Sequence, residues 1–121
     1  MLLDSNIIIY AVRSDQSALR QFIRENAPVV SLVSYVETLG YHRLRTEEKQ
    51  LLEEFFAASE ILPVTKDIAN RAISLRQRRK MSLGDALIAG TALVYKRSLV
   101  THNYDDFNWI PELTLIDPID N

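Results

Sequence analysis

Five acids stand where the chain is expected to leave a strand for a helix or a loop. Asp4 follows Leu2–Leu3 and precedes Ser5, Asn6 and the run Ile7–Ile8–Ile9–Tyr10. Glu37 comes shortly after the apolar run Pro28–Val33, and Asp85 opens a segment rich in small residues. Asp105 and Asp106, with Asn103 just before them, follow Ser98–Thr101. In α/β sheets, ligands collect outside the carboxyl ends of the strands, so acids far apart in sequence can meet in one crevice there. Carboxylates crowded together repel and need a counter-ion to stay ionised. Hard divalent cations such as Mg²⁺ or Mn²⁺ suit such oxygen ligands. A cation of that kind makes a bound water nucleophilic and stabilises charge on a phosphoryl group in displacement. No zinc spacing competes, since the chain has no cysteine and its only histidines are His42 and His102.

A plainer reading stands beside this one. Asp is a preferred helix N-cap, which would suffice for Asp4. Ser34-Tyr-Val-Glu37 and Ser82-Leu-Gly-Asp85 both fit the capping box, in which the fourth residue reaches back to the cap's own amide. Spacing alone leaves convergence and capping both open.

The elements that must position these residues alternate. Leu2–Leu3 reads as a short buried strand ending on Asp4, with a helix directly behind it. Ser14 to Asn26 reads as a helix, Pro28–Val33 as the second strand and Ser34 to Leu44 as a helix again. Thr46 is expected to cap a helix with Glu47 and Glu48 in its first turn and Leu51, Leu52, Phe55 and Phe56 behind them. Ile61–Val64 reads as a strand that Pro63 confines to an edge. Thr65 and Ser82 are expected to cap two further helices, the first ending in the basic stretch Arg76–Lys80, the second carrying Ala86, Ala89, Gly90 and Ala92. Ser98–Thr101 and Leu113–Ile116 complete the strands. The order implies βαβ units, hence an α/β fold with a mainly parallel central sheet flanked by helices.

Length and composition bound the rest. The chain has 121 residues, which suits one domain over residues 1–121, and 47% of them are hydrophobic, enough for a core. A formal charge of −2 speaks against a broad basic nucleic-acid surface, but leaves room for a local basic patch beside a bound metal. The absence of cysteine excludes a disulfide scaffold, a thiolate zinc site and a cysteine nucleophile. The amino terminus lacks the basic region of a signal peptide, and no apolar run reaches the ~18 residues of a membrane span. A cytoplasmic protein with no membrane contact is expected.

Set out in order, these fragments resemble the PIN-domain ribonucleases, and among them the VapC-type toxins of prokaryotic toxin–antitoxin pairs. The matching pieces are Leu3-Asp4-Ser5-Asn6, Ser34-Tyr-Val-Glu37, Leu83-Gly-Asp85-Ala-Leu-Ile-Ala89, Leu99-Val-Thr101-His-Asn103-Tyr-Asp-Asp106-Phe107 and Leu115-Ile-Asp-Pro118. Together they cover nearly the whole chain. The resemblance implies that Asp4, Glu37 and Asp85 bind Mg²⁺ or Mn²⁺, with Glu37 as a ligand or as the group positioning the attacking water. It implies that Ser5, where many relatives have Thr, and Asn6 orient the first acid or touch substrate. A fourth acid is frequent after the late strand. Here Asn103 occupies that position, Asp106 matches the acid of the following motif and Asp105 adjoins it, so the residue completing the site, and with it a second metal, stays open. The implied activity is an endoribonuclease that hydrolyses RNA phosphodiester bonds, acting as a homodimer restrained by a cognate antitoxin.

Other features extend this expectation. Arg76, Arg78, Arg79 and Lys80 are either a solvated helix end, favourably placed at the negative pole of the helix dipole, or a phosphate-contacting rim in which Arg79 and Lys80 meet RNA. His42 and His102 are expected to be structural or incidental, and Trp109, with Phe107 and Ile110, to pin the C-terminal segment. The helix of Leu51–Phe56, with Arg43 and Leu44, offers a groove for an amphipathic partner helix; Leu52 or Phe56 should then keep exposed area, and a neighbouring reading frame should encode a small protein with a basic tail. The competing hypothesis is a non-catalytic PIN-like module binding protein or RNA. A different phosphodiesterase or phosphatase ranks lower, because no Asp-x-Asp start, P-loop or Gly-rich dinucleotide motif is present.

Overall fold

The computed structural model of the chain describes residues 1–13 and 15–119. In chain order its elements are β1 (Leu2–Leu3), α1 (Ser5–Ala11), α2 (Ser17–Asn26), β2 (Val29–Ser31), α3 (Leu32–Leu39), α4 (Thr46–Ala57), β3 (Ile61–Leu62), α5 (Lys66–Arg78), α6 (Leu83–Val94), β4 (Leu99–Val100), α7 (Tyr104–Phe107) and β5 (Leu115–Ile116). The strands form one five-stranded sheet in the order β3-β2-β1-β4-β5, and every pairing is parallel. The chain winds from β1 out to β3 on one side and returns to β4 and β5 on the other. The strand order therefore reverses beside β1, and Asp4 sits at this switch point, where α/β sheets open a crevice.

Both faces of the sheet are covered, which is why the strands read as unbroken apolar runs. Successive strand residues point to opposite faces. Leu2, Val29 and Leu99 pack with Leu75, Ile88, Ala89, Phe107 and Ile110 on the side of α5, α6 and α7. Leu3, Val30 and Val100 pack with Ile7, Ile8, Leu19, Leu52 and Phe56 on the side of α1, α2 and α4. The small residues of α6 serve a close approach to α5: a side chain at Gly90 would meet the carbonyl oxygen of Ile68 at 3.0 Å. Thr65 and Ser82 cap their helices through bonds from the backbone N–H of Ile68 and Asp85, and β3, which stops just before Pro63, is an edge strand as expected.

Several boundaries differ from the sequence reading. The expected helix from Ser14 to Asn26 begins at Ser17; Ser14 itself lies outside the described residues. Ser31 ends β2 and caps α3, accepting the Val33 N–H at 3.0 Å. Helix α3 therefore starts before Ser34 and stops at Leu39 rather than Leu44. Gly40 closes it with a bond from its own N–H to the Val36 carbonyl at 2.8 Å. Thr46 is the first residue of α4, not its cap; Arg45 holds that position without a side-chain bond.

Helix α4 also corrects the groove assignment. Leu52 and Phe56 are 1% and 3% exposed, because this i, i+4 pair is the stripe turned to the sheet. Leu51, at 44% exposed, and Phe55 lie one residue around the helix. They line a 560 Å³ groove with Ala11, Val12 and Ile23.

Candidate active site

Asp4 is placed by β1 and held from two sides. Its Oδ1 accepts the Ser5 N–H at 2.8 Å, which makes it the N-cap of α1. Its Oδ2 accepts the Thr101 hydroxyl at 2.8 Å. Thr101 directly follows β4, whose Val100 pairs with Leu3, so the parallel register brings acid and hydroxyl side by side. Capping and site geometry are thus served by the same carboxylate. Asp4 is only 3% exposed. Burial pushes its pKa up to about 6; the Thr101 bond opposes this, while the charges of Asp85 and Glu37 add to it.

Glu37 reaches the same crevice from α3. The Ser5 hydroxyl donates to its Oε1 at 2.8 Å and lies 2.9 Å from the Ser34 hydroxyl. Ser5 has one proton to give and an ionised carboxylate can only accept, so Ser34 donates to Ser5. Ser34 is therefore part of a relay running Ser34–Ser5–Glu37, and the expected capping box from Ser34 to Glu37 is absent because Ser34 lies inside α3. The Glu37 carboxylate rests directly over Gly84, where any side chain would run into it. That contact draws the first turn of α6, and with it Asp85, to Glu37. Burial raises the pKa of Asp85; Asp106 and Glu37 raise it further, and a bond with Ser82 opposes them.

Asp4, Glu37 and Asp85, from the end of β1, from α3 and from the start of α6, thus act electrostatically on one another across the carboxyl edge of the sheet. The expected grouping is looser than one metal-sized cluster: among the described residues, no three His, Cys, Asp or Glu side chains are gathered closely enough as they stand to hold an ion. The bonds from Ser5 and Thr101 and the seat of Glu37 over Gly84 set this spacing. The donor set nevertheless fits a hard cation. It is made of carboxylate oxygens, the pKa of Asp4 is raised by burial with no cation paired to it among the described residues, and the nearby charges acting on it are negative.

The remaining expected residues fall around this core. Asn6 is half-buried and lines a 340 Å³ cavity with Glu37, Tyr10 and Tyr41. Asn103 donates its backbone N–H to the Thr101 hydroxyl oxygen at 3.0 Å and so steadies the group that holds Asp4. Of the two acids of α7, Asp106 is the one whose charge reaches Asp85; both are exposed. Arg79 and Lys80 line a 590 Å³ groove together with Asp85, Asp106 and Trp109, which brings the basic stretch to the acids. His102 is paired with Asp117 at 2.9 Å, and His42 is exposed.

Thr101, Ser34 and Gly84 were not singled out by sequence reasoning as parts of the site. A hydroxyl at a strand's carboxyl end and a serine one turn before an acid on the same helix were the available signals. Trp109 was read only as an anchor, and its place beside the acids had no sequence signal.

Comparison with known proteins identifies the family and the fold. Residues 1–113 match the PIN domain. The chain is 32% identical to Ribonuclease VapC10 of Mycobacterium tuberculosis, over 93% of this chain and 90% of that protein. Its fold is similar to a chain of a toxin-antitoxin complex from Klebsiella pneumoniae, with a TM-score of 0.81 and 28% identity over 99% of this chain and 98% of the other. It is also similar to a chain of DNA-bound VapBC from Salmonella typhimurium, with a TM-score of 0.84 and 21% identity over 98% and 97%. A PIN-domain match along almost the whole chain, with a VapC ribonuclease among its relatives, shows that this protein belongs to the PIN-domain family and is of the VapC type.

Proposed function

We propose that this protein is an Mg²⁺- or Mn²⁺-dependent endoribonuclease and the toxin of a toxin–antitoxin pair, working in the cytoplasm. The observation that carries the reading is the meeting of Asp4, Glu37 and Asp85 at the switch point of the sheet, with no cation among the described residues set against Asp4. The name of its relative, Ribonuclease VapC10, supports the substrate class.

Asp4, Asp85 and Glu37 would hold the divalent ion, which when bound supplies an activated water and neutralises charge on the phosphoryl group. The chain's own residues prepare that chemistry. Thr101 and the Ser5 N–H fix both oxygens of Asp4, and the Ser34–Ser5 relay fixes Glu37. Arg79 and Lys80 hold phosphates at the rim, while Asp106, in the same groove, and Asn103 support the substrate or a second ion. Asn6 touches the substrate from α1.

Two surfaces support the partners. Val36 and Leu83, at 63% and 58% exposed, lie with Leu32 and Tyr35 on α3 and the start of α6, an apolar face suited to a homodimer. The groove of Leu51 and Phe55 suits an amphipathic helix of a cognate antitoxin. The toxin-antitoxin complex from Klebsiella pneumoniae among the structural relatives supports that partner.

A non-catalytic PIN-like binding module is favoured by one observation, the looser spacing of the acids. Purified protein incubated with total RNA separates the two readings. Cleavage that needs Mg²⁺ or Mn²⁺, stops with chelator and is lost in Asp85→Asn supports the nuclease; intact RNA with either metal overturns it.

A further inference from the structure

Trp109 is the single tryptophan of the chain, and it stands on the wall of the groove that also holds Asp85, Asp106, Arg79 and Lys80. Its indole Nε1 donates to the Asp106 carbonyl at 3.1 Å, which ties the ring to the acid-bearing helix α7. Two guanidiniums lie against the ring, Arg78 at 5.3 Å and Arg79 at 5.5 Å from its centroid. They are not equivalent. Arg78 is also tethered to the Glu112 carboxylate at 3.8 Å. Arg79 ends α5 in an extended conformation, and among the described residues its side chain has no hydrogen-bond or carboxylate partner besides the ring. Lys80 has no carboxylate partner among them either.

A guanidinium held only by the face of a half-buried ring at the protein surface is held weakly, and a phosphate is a stronger partner for it. An Arg79 that turns to a phosphate uncovers an aromatic face for a base. The groove thus offers cations for a backbone and a ring for a base beside the acids. A carboxylate-rich peptide is a poorer occupant, because Asp85, Asp105 and Asp106 line the same wall and such a peptide brings no π-face. A duplex is also poorer, since its bases are already stacked on one another.

We propose that Trp109, Arg79 and Lys80 form a nucleotide subsite that stacks one unpaired base of single-stranded RNA and holds its neighbouring phosphate beside the acidic crevice. The subsite rests on the ribonuclease reading and adds to it a specificity-determining aromatic residue.

With a single tryptophan, intrinsic fluorescence reports the subsite directly. The 121-residue chain carrying Asp4→Asn, to prevent cleavage, is titrated with a short single-stranded oligoribonucleotide, its duplex, an abasic oligomer of equal length and poly-glutamate, with binding followed in parallel by anisotropy. The single strand is expected to quench the fluorescence saturably, the duplex and poly-glutamate weakly, and the abasic oligomer to bind without quenching. Trp109→Ala should weaken single-strand binding about tenfold, with most of the affinity restored in Trp109→Phe at a matched melting temperature. Lys80→Gln should lower the salt dependence by about one phosphate contact. Single-strand binding without quenching, or with unchanged affinity in Trp109→Ala, overturns the subsite while leaving RNA cleavage by the unmodified chain as support for the nuclease. Equal quenching by poly-glutamate overturns it in favour of an acidic protein partner. Absence of both RNA binding and RNA cleavage overturns the nuclease reading and the subsite with it.

Discussion

The two sides of the crevice solve opposite problems. On the β1–β4 side, Asp4 is buried and both of its oxygens are held by fixed donors. On the α6–α7 side, Asp85 borders an open groove whose wall carries Arg79, Lys80 and Trp109. The first side is rigid and holds negative charge under strain, since burial raises the pKa of Asp4 and two further acids add to it. The second is open to solvent and mixes both signs of charge. A site for a cation and an anionic polymer needs this division: one wall that fixes ligands before binding, and another that admits and orients a large substrate.

The largest expected effect of breaking this comparison is at its shared acid. Asp85→Asn should abolish metal-dependent RNA cleavage while the chain stays folded, as checked by gel assay and circular dichroism. Asp85 carries no core contact, and losing its charge relieves Asp4. Next comes the rigid wall. Thr101→Val removes the hydroxyl that orients Asp4, and such supporting contacts are typically worth 10–100-fold in metal affinity or activity. Thr101→Ser should recover most of that loss, whereas a merely structural role would leave the two variants alike in metal titration.

The charge stored on that wall has a pH signature. Asp4 protonates at about 6 in the folded chain, against 3.8 ordinarily, so the folded protein binds this proton more tightly than the unfolded chain. The linked stability is fully present below about pH 4 and is lost as the pH rises through about 6. Without divalent metal, the folding stability should therefore fall by about 1–2 kcal/mol between pH 5 and pH 7.5, read as a lower melting temperature. Asp4→Asn should flatten this step, and millimolar Mg²⁺ should shrink it by favouring the ionised form.

The smallest expected effect on stability separates fold from site most sharply. Gly84 lies in the first turn of α6 under the Glu37 carboxylate. Alanine is favoured over glycine in helices by up to about 1 kcal/mol, and the atom it would displace is the end of a flexible side chain. Gly84→Ala should leave the melting temperature unchanged or slightly raised, yet reduce cleavage because Glu37 is moved. Equal cleavage by this variant would place Glu37 outside the reaction.

How much of this was legible beforehand depended on distance along the chain. Leu2–Leu3–Asp4 and the caps at Thr65 and Ser82 are local patterns, and they appear as read. The β-branched run before Ser31 was read as strand two residues too far, because Ser31 both ends the strand and caps the helix. The same shift turned Ser34 from an expected cap into a buried donor. Four adjacent apolar residues in α4 do not say which pair faces the sheet; each step turns the helix by about 100°, and only packing selects Leu52 and Phe56. The Thr101–Asp4 bond spans 97 positions and follows from the pairing of β1 with β4. Strand order is a property of the whole sheet, and no local stretch carries it. Helix α7 spans only four residues and carries too little periodicity to be read.

Three acids from three separate elements are proposed to make one hard-cation site. Mn²⁺ binding to the purified chain, followed by electron paramagnetic resonance in wild type, Asp4→Asn, Glu37→Gln and Asp85→Asn, tests it most directly. Saturable binding by the wild type, displaced by Mg²⁺ and weakened in each of the three variants, is expected. Wild-type binding that survives all three substitutions unchanged, or no binding at millimolar Mn²⁺, would contradict it.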